Sequence, residues 1–400
     1  MNFSRIAAAA AAGAVLAACS GQNGALPTQP GTANGIAGAP MGVANAGKSP
    51  AEINHWVPRY TTLPARGIDR NALETMQAAG TTIPYFTKTV TSPLNSQTYT
   101  YEIVGKDPTK SNRTTKVVYV PIVVRVHFPD GTVLDPTKPG CNDKVSVQNR
   151  FFKGPNFVNT PLTSNGVNVG KVQVVDGFQR AEFWNSLKGN LYHTVLKPAG
   201  TPIVVDYNAP SSAQTVAGVC ADKPKVSHRI GEIDINSYDN EMVSLATQYA
   251  TPTQVPIVLS YNVFETEGGC CILGYHSAFS RGSSTQTYAV GAYNDAGVFG
   301  STPIEDIHAW THEIGELVND PFVANGTPPW GHVGQVSGCQ NNLEVGDPLT
   351  GTAFTLKYNN FTYHPQELAF FDWFYRTPSQ GTGGKFSFEG TFTQSQGACH

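Results

Sequence analysis

Residues 116–128, KVVYVPIVVRVHF, limit what this chain can fold into more than any other stretch. β-Branched and aromatic residues dominate the run, so it reads as the strongest strand. Pro129-Asp130-Gly131 then reads as a hairpin turn into Thr132-Val133-Leu134. Pro121 inside the run marks an edge or a bulge, because proline has no N–H to give a ladder. A second hairpin is expected from residues 192–196 and 201–207, joined by Lys-Pro-Ala-Gly. Residues 60–114 are mixed and polar with short alternating runs such as 97–104. Helices are few: residues 176–187, 238–249 and about 303–318 carry apolar positions at helical spacing. Only 14% of residues are charged, while Gly (40) and Pro (28) are plentiful, which describes a loop-rich extracellular protein with many strands. A net charge of -3 offers no basic excess, so nucleic acid is excluded as a partner.

The start of the chain has its own pattern. Arg5 is followed by an apolar, Ala-rich stretch and then small residues up to Cys19, which is a secretory signal and too short for a permanent span. Leu16-Ala17-Ala18-Cys19 resembles the lipobox of bacterial lipoproteins. The resemblance implies lipidation of Cys19, and Ser20 after it, in place of Asp, implies sorting to the outer membrane in Gram-negative relatives. Up to about residue 50 the chain is Gly, Ala, Pro, Asn, Gln and Ser with Lys48 its one charge, so a flexible tether is expected. The divisions read as signal peptide 1–18, tether 19–55, strand-rich region 56–115 and main domain 116–400. Six cysteines remain: Cys141, Cys220, Cys270, Cys271, Cys339 and Cys399. Outside the cytoplasm they imply up to three disulfides. Cys270 and Cys271 are adjacent, and the expectation is that each pairs with a distant partner.

The third helix carries chemistry. It reads His308-Ala309-Trp310-Thr311-His312-Glu313-Ile314-Gly315-Glu316, with Pro303 near its first turn and Asn319-Asp320-Pro321 as its stop. Residues four apart lie about 40° from eclipsed on a helix, so His312 and Glu316 can share one cation. Glu313, displaced around the helix, is placed to act as general base on a metal-bound water. Ile307, Trp310, Ile314 and Leu317 form the apolar stripe, which sends the polar stripe toward a cleft or solvent. Downstream lies Asn341-Asn342-Leu343-Glu344-Val345-Gly346-Asp347-Pro348.

His-Glu-x-x-Glu, Asp-Pro, a Trp-containing loop and Glu-x-Gly-Asp together resemble a pattern of secreted zincin-like proteins of bacteria and fungi. The runs DGFQRAEFW (residues 176–184) and GGCCILGYH (residues 268–276) resemble two further segments of those proteins. The second run and the helix are remotely similar to plant EXORDIUM-type secreted proteins. The resemblance implies an α+β fold, a zincin-like mixed domain with a strand-rich N-terminal portion and a metal-bearing active-site helix. It implies zinc, or another divalent metal, held by His312, Glu316 and Glu344, with Glu313 catalytic. The zincin motif has His where Glu316 stands, and a carboxylate there weakens the Lewis acid. Asp347 is the alternative third ligand to Glu344 or else a partner that orients His312, and His308 and His332 are further ligand or supporting candidates.

The implied function is a membrane-anchored, extracytoplasmic metallopeptidase acting on a peptide or cell-surface polymer. Two alternatives stand beside it: a non-catalytic surface binding protein on the same scaffold, and a glycan hydrolase using two of the carboxylates. His276, beside the adjacent cysteines, reads as structural. Arg180 and Glu182 read as an ion pair or solvated groups. No Gly-x-Ser-x-Gly elbow and no Walker loop occurs.

Overall fold

The computed structural model describes residues 56–220, 227–300 and 302–400. The leader, Cys19 and the whole of the tether lie outside the described residues.

The expected strongest strand is present as Thr114–His127, fourteen residues at the centre of a seven-stranded sheet. Gln254–Tyr261 lies parallel along one side, followed by Ser284–Tyr293 and Gly274–Arg281. The other side of the central strand is taken by two short strands in succession. His193–Pro198 pairs parallel with residues 114–119, and Ile203–Asn208 pairs parallel with residues 122–127. These two segments were expected to form a hairpin with each other, and they do not. A fourteen-residue strand offers an edge long enough for both, so the chain pauses and resumes in the same direction instead of reversing. Pro121 falls in the gap between them, where a missing N–H breaks no ladder. It marks neither a sheet edge nor a bulge. The Pro-Asp-Gly turn is as expected: Val126 faces Leu134 and Phe128 N–H bonds Thr132 O.

Alternation along the central strand divides the core. Val117, Tyr119 and Val123 face one side, in one cluster with Trp310, Ile314 and Leu317 of the site helix His308–Asn319 and with Ile307 just before it. Val120, Ile122, Val124 and Val126 face the other, packed with Met242, Leu245 and Ala246 of the helix Ile235–Tyr249. A strand covered on both faces reads as a continuous apolar run, which is why residues 116–128 lack the polar alternation of a surface strand.

The expected α+β zincin-like domain with a metal-bearing helix is not the architecture. Strands take 39% of the described residues against 20% for helices, and the main sheet curls into a half-barrel. Segments that read as loop also pair as strands, among them Gly326–Val333 with Val336–Asn342 and Leu356–Tyr358 with Phe361–Tyr363. A second sheet of five strands places Trp56–Arg59 parallel to Cys270–Ile272. Its partners, separated by most of the chain, leave no local signal.

Disulfides join Cys141 to Cys220, Cys339 to Cys399, and Cys270 to Cys271. The last corrects the expectation of distant partners. An extended trans strand would point neighbouring side chains to opposite faces. Here the intervening peptide is cis and the two Cα atoms are 3.0 Å apart. Arg180 and Glu182 are not an ion pair either: both are buried, Arg180 donates to the carbonyls of Val169 and Tyr192, and Glu182 accepts from Phe371 N–H. Among the described residues no helix is long and apolar enough to cross a membrane.

Candidate metal centre

The site helix starts at His308, later than the expected 303, because Asp306 sits in the left-handed region at φ 45° and its carboxylate caps Ile307 N–H. Asp320 ends it, its N–H bonding Glu316 O. Every residue of the helix is buried. Its polar stripe therefore faces the interior, not the cleft or solvent expected, and each polar group on it needs a partner.

His312 Nε2 lies 3.1 Å from Glu316 Oε1, the contact the four-residue spacing implies. Two other segments close on this pair. The strand Gly274–Arg281 brings His276, whose Nδ1 is 3.5 Å from Glu313 Oε2 and 3.7 Å from Glu316 Oε2. The segment after the hairpin brings Glu344 and Asp347, with Asp347 Oδ1 3.5 Å from His312 Nε2. His276, Glu316 and Glu344 each offer a ligand atom within 4.8 Å of the others, and so do His312, Glu313 and Glu316. Ligand atoms about 2.0–2.2 Å from a tetrahedral zinc lie about 3.3–3.6 Å apart, a range bracketed by the 3.1 Å from His312 to Glu316 Oε1 and the 3.7 Å from His276 to Glu316 Oε2.

The hydrogen bonds fix which imidazole nitrogens are bare. His276 Nε2 is 3.1 Å from Asp320 O, a carbonyl that only accepts, so Nε2 carries the proton and Nδ1 presents a lone pair. His312 Nδ1 faces Gln366 Oε1 at 3.2 Å, and Gln366 Nε2 donates to Gly346 O at 2.6 Å, which sets the amide. His312 Nδ1 is thus the donor and Nε2 is bare. Neither bare nitrogen has a hydrogen-bond partner, nor does either oxygen of Glu313 or Oε2 of Glu344. Burial depresses both histidines, His276 to about 3 and His312 to about 4. Burial and then neighbouring carboxylates hold Glu313, Glu316 and Glu344 well above the usual carboxylate range. Burial also raises Asp347, against the pull of His312, Gln340 and Gln335. Among the described residues no lysine or arginine pairs with these four. Lone pairs and carboxylates that meet without a cation repel, and these groups lie close enough together to hold one divalent ion.

Supporting contacts come from far along the chain. Glu344 Oε1 accepts from Thr62 Oγ1 and Asn342 Nδ2, both at 2.8 Å. Asp347 accepts from the amides of Gln335 and Gln340. Tyr60 stacks on the His312 ring with centroids 3.5 Å apart, and its buried hydroxyl has no partner. Gln335 clamps the Tyr60 backbone from both sides, accepting from its N–H at 2.8 Å and donating to its carbonyl at 3.1 Å. Gly274 leaves room for Glu313, whose Cγ would be 2.9 Å from a Cβ there.

Of the residues singled out in the sequence, His312, Glu313, Glu316, Glu344 and Asp347 come together. His308 is buried but outside these groups, and neither of its nitrogens has a partner. His332 is remote, on the exposed hairpin near Cys339 and the carbonyl of His400. His276 was read as structural and is instead at the centre. Its signal was the Gly-Tyr-His segment of the resemblance. Tyr60, Thr62, Gln335 and Gln366 carried no signal at all. Compared with protein-family profiles, curated proteins and solved structures, the chain matches none.

Proposed function

We propose that the protein is a metal-dependent hydrolase, with zinc as the ion and a peptide bond as the target. One observation carries the reading: two bare imidazole nitrogens lie in two buried ligand groups that share Glu316, with no lysine or arginine pairing with their carboxylates among the described residues. His276, His312 and Glu316 are the ligands, a His2Glu set that keeps one coordination position open. His276 takes the place in this set that Glu344 held in the sequence reading. Glu344, held through one oxygen by Thr62 and Asn342, steadies Glu316. Zinc bound there would polarise a carbonyl and acidify water. Glu313, with both oxygens free of partners, takes the proton of the attacking water and returns it to the leaving amine. Gln366 accepts from His312 Nδ1–H and so keeps the imidazole oriented, while Asp347, itself held by two glutamine amides, faces the bare Nε2. Burial keeps the Tyr60 hydroxyl protonated, a donor available to a developing oxyanion.

The proposed setting is outside the cytoplasm, on a lipid anchor at Cys19. Three disulfides among the described residues support an oxidising compartment. A second reading has its own support. The cluster is sealed, with His276, His312, Glu313, Glu316 and Glu344 all at most 3% exposed, which also suits a structural metal in a surface binding protein. A glycan hydrolase using two carboxylates leaves the bare nitrogens unexplained.

Elemental analysis of the full chain, purified from zinc-supplemented culture, tests the site. Wild type and Glu344→Gln should carry zinc, whereas His276→Ala and Glu316→Ala should not. A zinc-free wild type, or equal zinc in His276→Ala, overturns the ligand set. Glu313→Gln should keep zinc and lose about 10²–10⁴-fold in kcat on a peptide library. Zinc without hydrolysis of any peptide by wild type selects the structural reading.

A further inference from the structure

A single zinc leaves part of the buried cluster unaccounted for. A tetrahedral ion with one open position takes three protein atoms. More than three are on offer: His276 Nδ1, His312 Nε2, both oxygens of Glu313 and Glu344 Oε2 are all buried and without a hydrogen-bond partner. Glu316 and Asp347 add further oxygens beside the histidines. Charge points the same way. Glu313, Glu316, Glu344 and Asp347 are at most 5% exposed. Ionised, they carry twice the charge that one divalent ion neutralises, and among the described residues no lysine or arginine pairs with them. Buried charge without a counterion is costly.

The distances divide these atoms into two sets that share Glu316. Its Oε1 lies 3.1 Å from His312 Nε2, and its Oε2 lies 3.7 Å from His276 Nδ1. Gly346 N–H donates to Oε1 at 3.0 Å, which holds the carboxylate spread between the two rings. On the His312 side, Asp347 Oδ1 is 3.5 Å from Nε2. On the His276 side, Glu344 offers an oxygen within 4.8 Å of the ligand atoms of both His276 and Glu316. Thr62 and Asn342 both bond Glu344 Oε1, which leaves Oε2 free. Each side therefore has one imidazole, one oxygen of Glu316 and one further carboxylate.

We propose that the cluster holds two divalent ions bridged by Glu316. One sits on His312, Glu316 Oε1 and Asp347, the other on His276, Glu316 Oε2 and Glu344. Ions about 3.5–4 Å apart are the pattern of two-metal hydrolytic sites, and a carboxylate that gives one oxygen to each suits that spacing. Two such ions balance the four carboxylates. The proposal rests on the metal reading above and deepens it. The zinc shared by both imidazoles is the centre at one equivalent, and a second equivalent divides the imidazoles between two ions. Glu313, whose Oε2 is 3.5 Å from His276 Nδ1, keeps its place beside the second ion.

The test is a calorimetric titration of zinc chloride into the full chain, stripped beforehand by dialysis against a chelator, with the bound ratio checked by elemental analysis. Wild type should take two equivalents. Glu344→Gln, which keeps an acceptor for Thr62 and Asn342, should take one. Asp347→Asn, on the opposite side of the bridge, should also take one, so the test survives if either variant fails to fold. His332, Cys339 and Cys399 form an exposed group that also offers ligand atoms, so His332→Ala controls for zinc held there and should keep two equivalents. Manganese-loaded wild type should show spin coupling between its ions by EPR, and Glu344→Gln should show none. One equivalent in wild type overturns the bridged pair and leaves the single-zinc reading standing. No zinc in wild type overturns the metal reading itself, and the pair with it. Two equivalents that fall to one in His332→Ala, or two manganese ions without coupling, also overturn the pair.

Discussion

Gly346 shows how tightly His312 is held. A Cβ at this position would overlap the imidazole ring, and the backbone on either side of it is already engaged. Its N–H donates to Glu316 Oε1 at 3.0 Å and its carbonyl accepts from Gln366 at 2.6 Å. Gly346→Ala should therefore displace His312, lower zinc affinity by about 10–100-fold and cost about 1–3 kcal/mol in urea unfolding. Gly338→Ala, where a Cβ meets nothing within 4 Å, should change neither. Equal zinc affinity in the two variants would remove Gly346 from the site. At this scale the sequence was informative wherever chemistry is local. His312, Glu313 and Glu316 lie within one and a half turns of a helix, so spacing alone placed them on neighbouring faces. His276 reaches the same point from another strand, and its tautomer is set by Asp320, 44 residues along the chain. No spacing rule contains that distance.

Among the elements, the segment after Trp56–Arg59 lies over the cluster. It is fastened at one end by its parallel pairing with Cys270–Ile272. At the other, Arg66 exchanges backbone hydrogen bonds with Ala278 and Ser280. Between these points Tyr60 covers His312 and Thr62 holds Glu344. The expectation is that a metal ion exchanges past this strap. Tyr60→Ala should speed zinc loss to a chromophoric chelator by about three- to tenfold, the worth of one stacked ring. Tyr60→Phe, which keeps the ring, should match wild type. Identical release rates in all three proteins would show that the strap is not the gate. Element type was partly readable: the central strand, its turn and the cores of three helices were visible in periodicity. The helix expected from 303 began five residues late because Asp306 left the helical region to bond His364 N–H and Nδ1. Local preference had no access to that tertiary partner.

For the whole molecule, His364 ties the hairpin Leu356–Tyr358 and Phe361–Tyr363 to the start of the site helix. Hydrogen bonds to Asp306 and Glu305 push its imidazolium up to about 10. Burial lifts the Asp306 carboxyl, and the imidazolium beside it pulls the other way. A histidine whose folded pKa exceeds its unfolded value of about 6.5 stabilises fully below that value. The contribution is lost as pH rises toward about 10. Urea midpoints of wild type should thus fall between those limits, and His364→Gln should flatten the slope. Parallel slopes in the two proteins would rule the pair out as a source of pH-dependent stability.

What the sequence determined by itself was local: a strand at residues 116–128, a turn at Pro129-Asp130-Gly131, and a helix that aligns His312 with Glu316. Hydrophobic period and turn chemistry act over a few residues, so these features needed no knowledge of the fold. The tertiary structure alone decided that strands dominate, that 193–198 and 203–208 share one edge, that Cys270 and Cys271 join each other, and that His276 and Tyr60 meet His312. Those outcomes depend on contacts such as Tyr60 to Gln335 and Thr62 to Glu344, across 275 and 282 residues. They form only once burial of the shared core has offset the loop entropy of bringing such distant segments together.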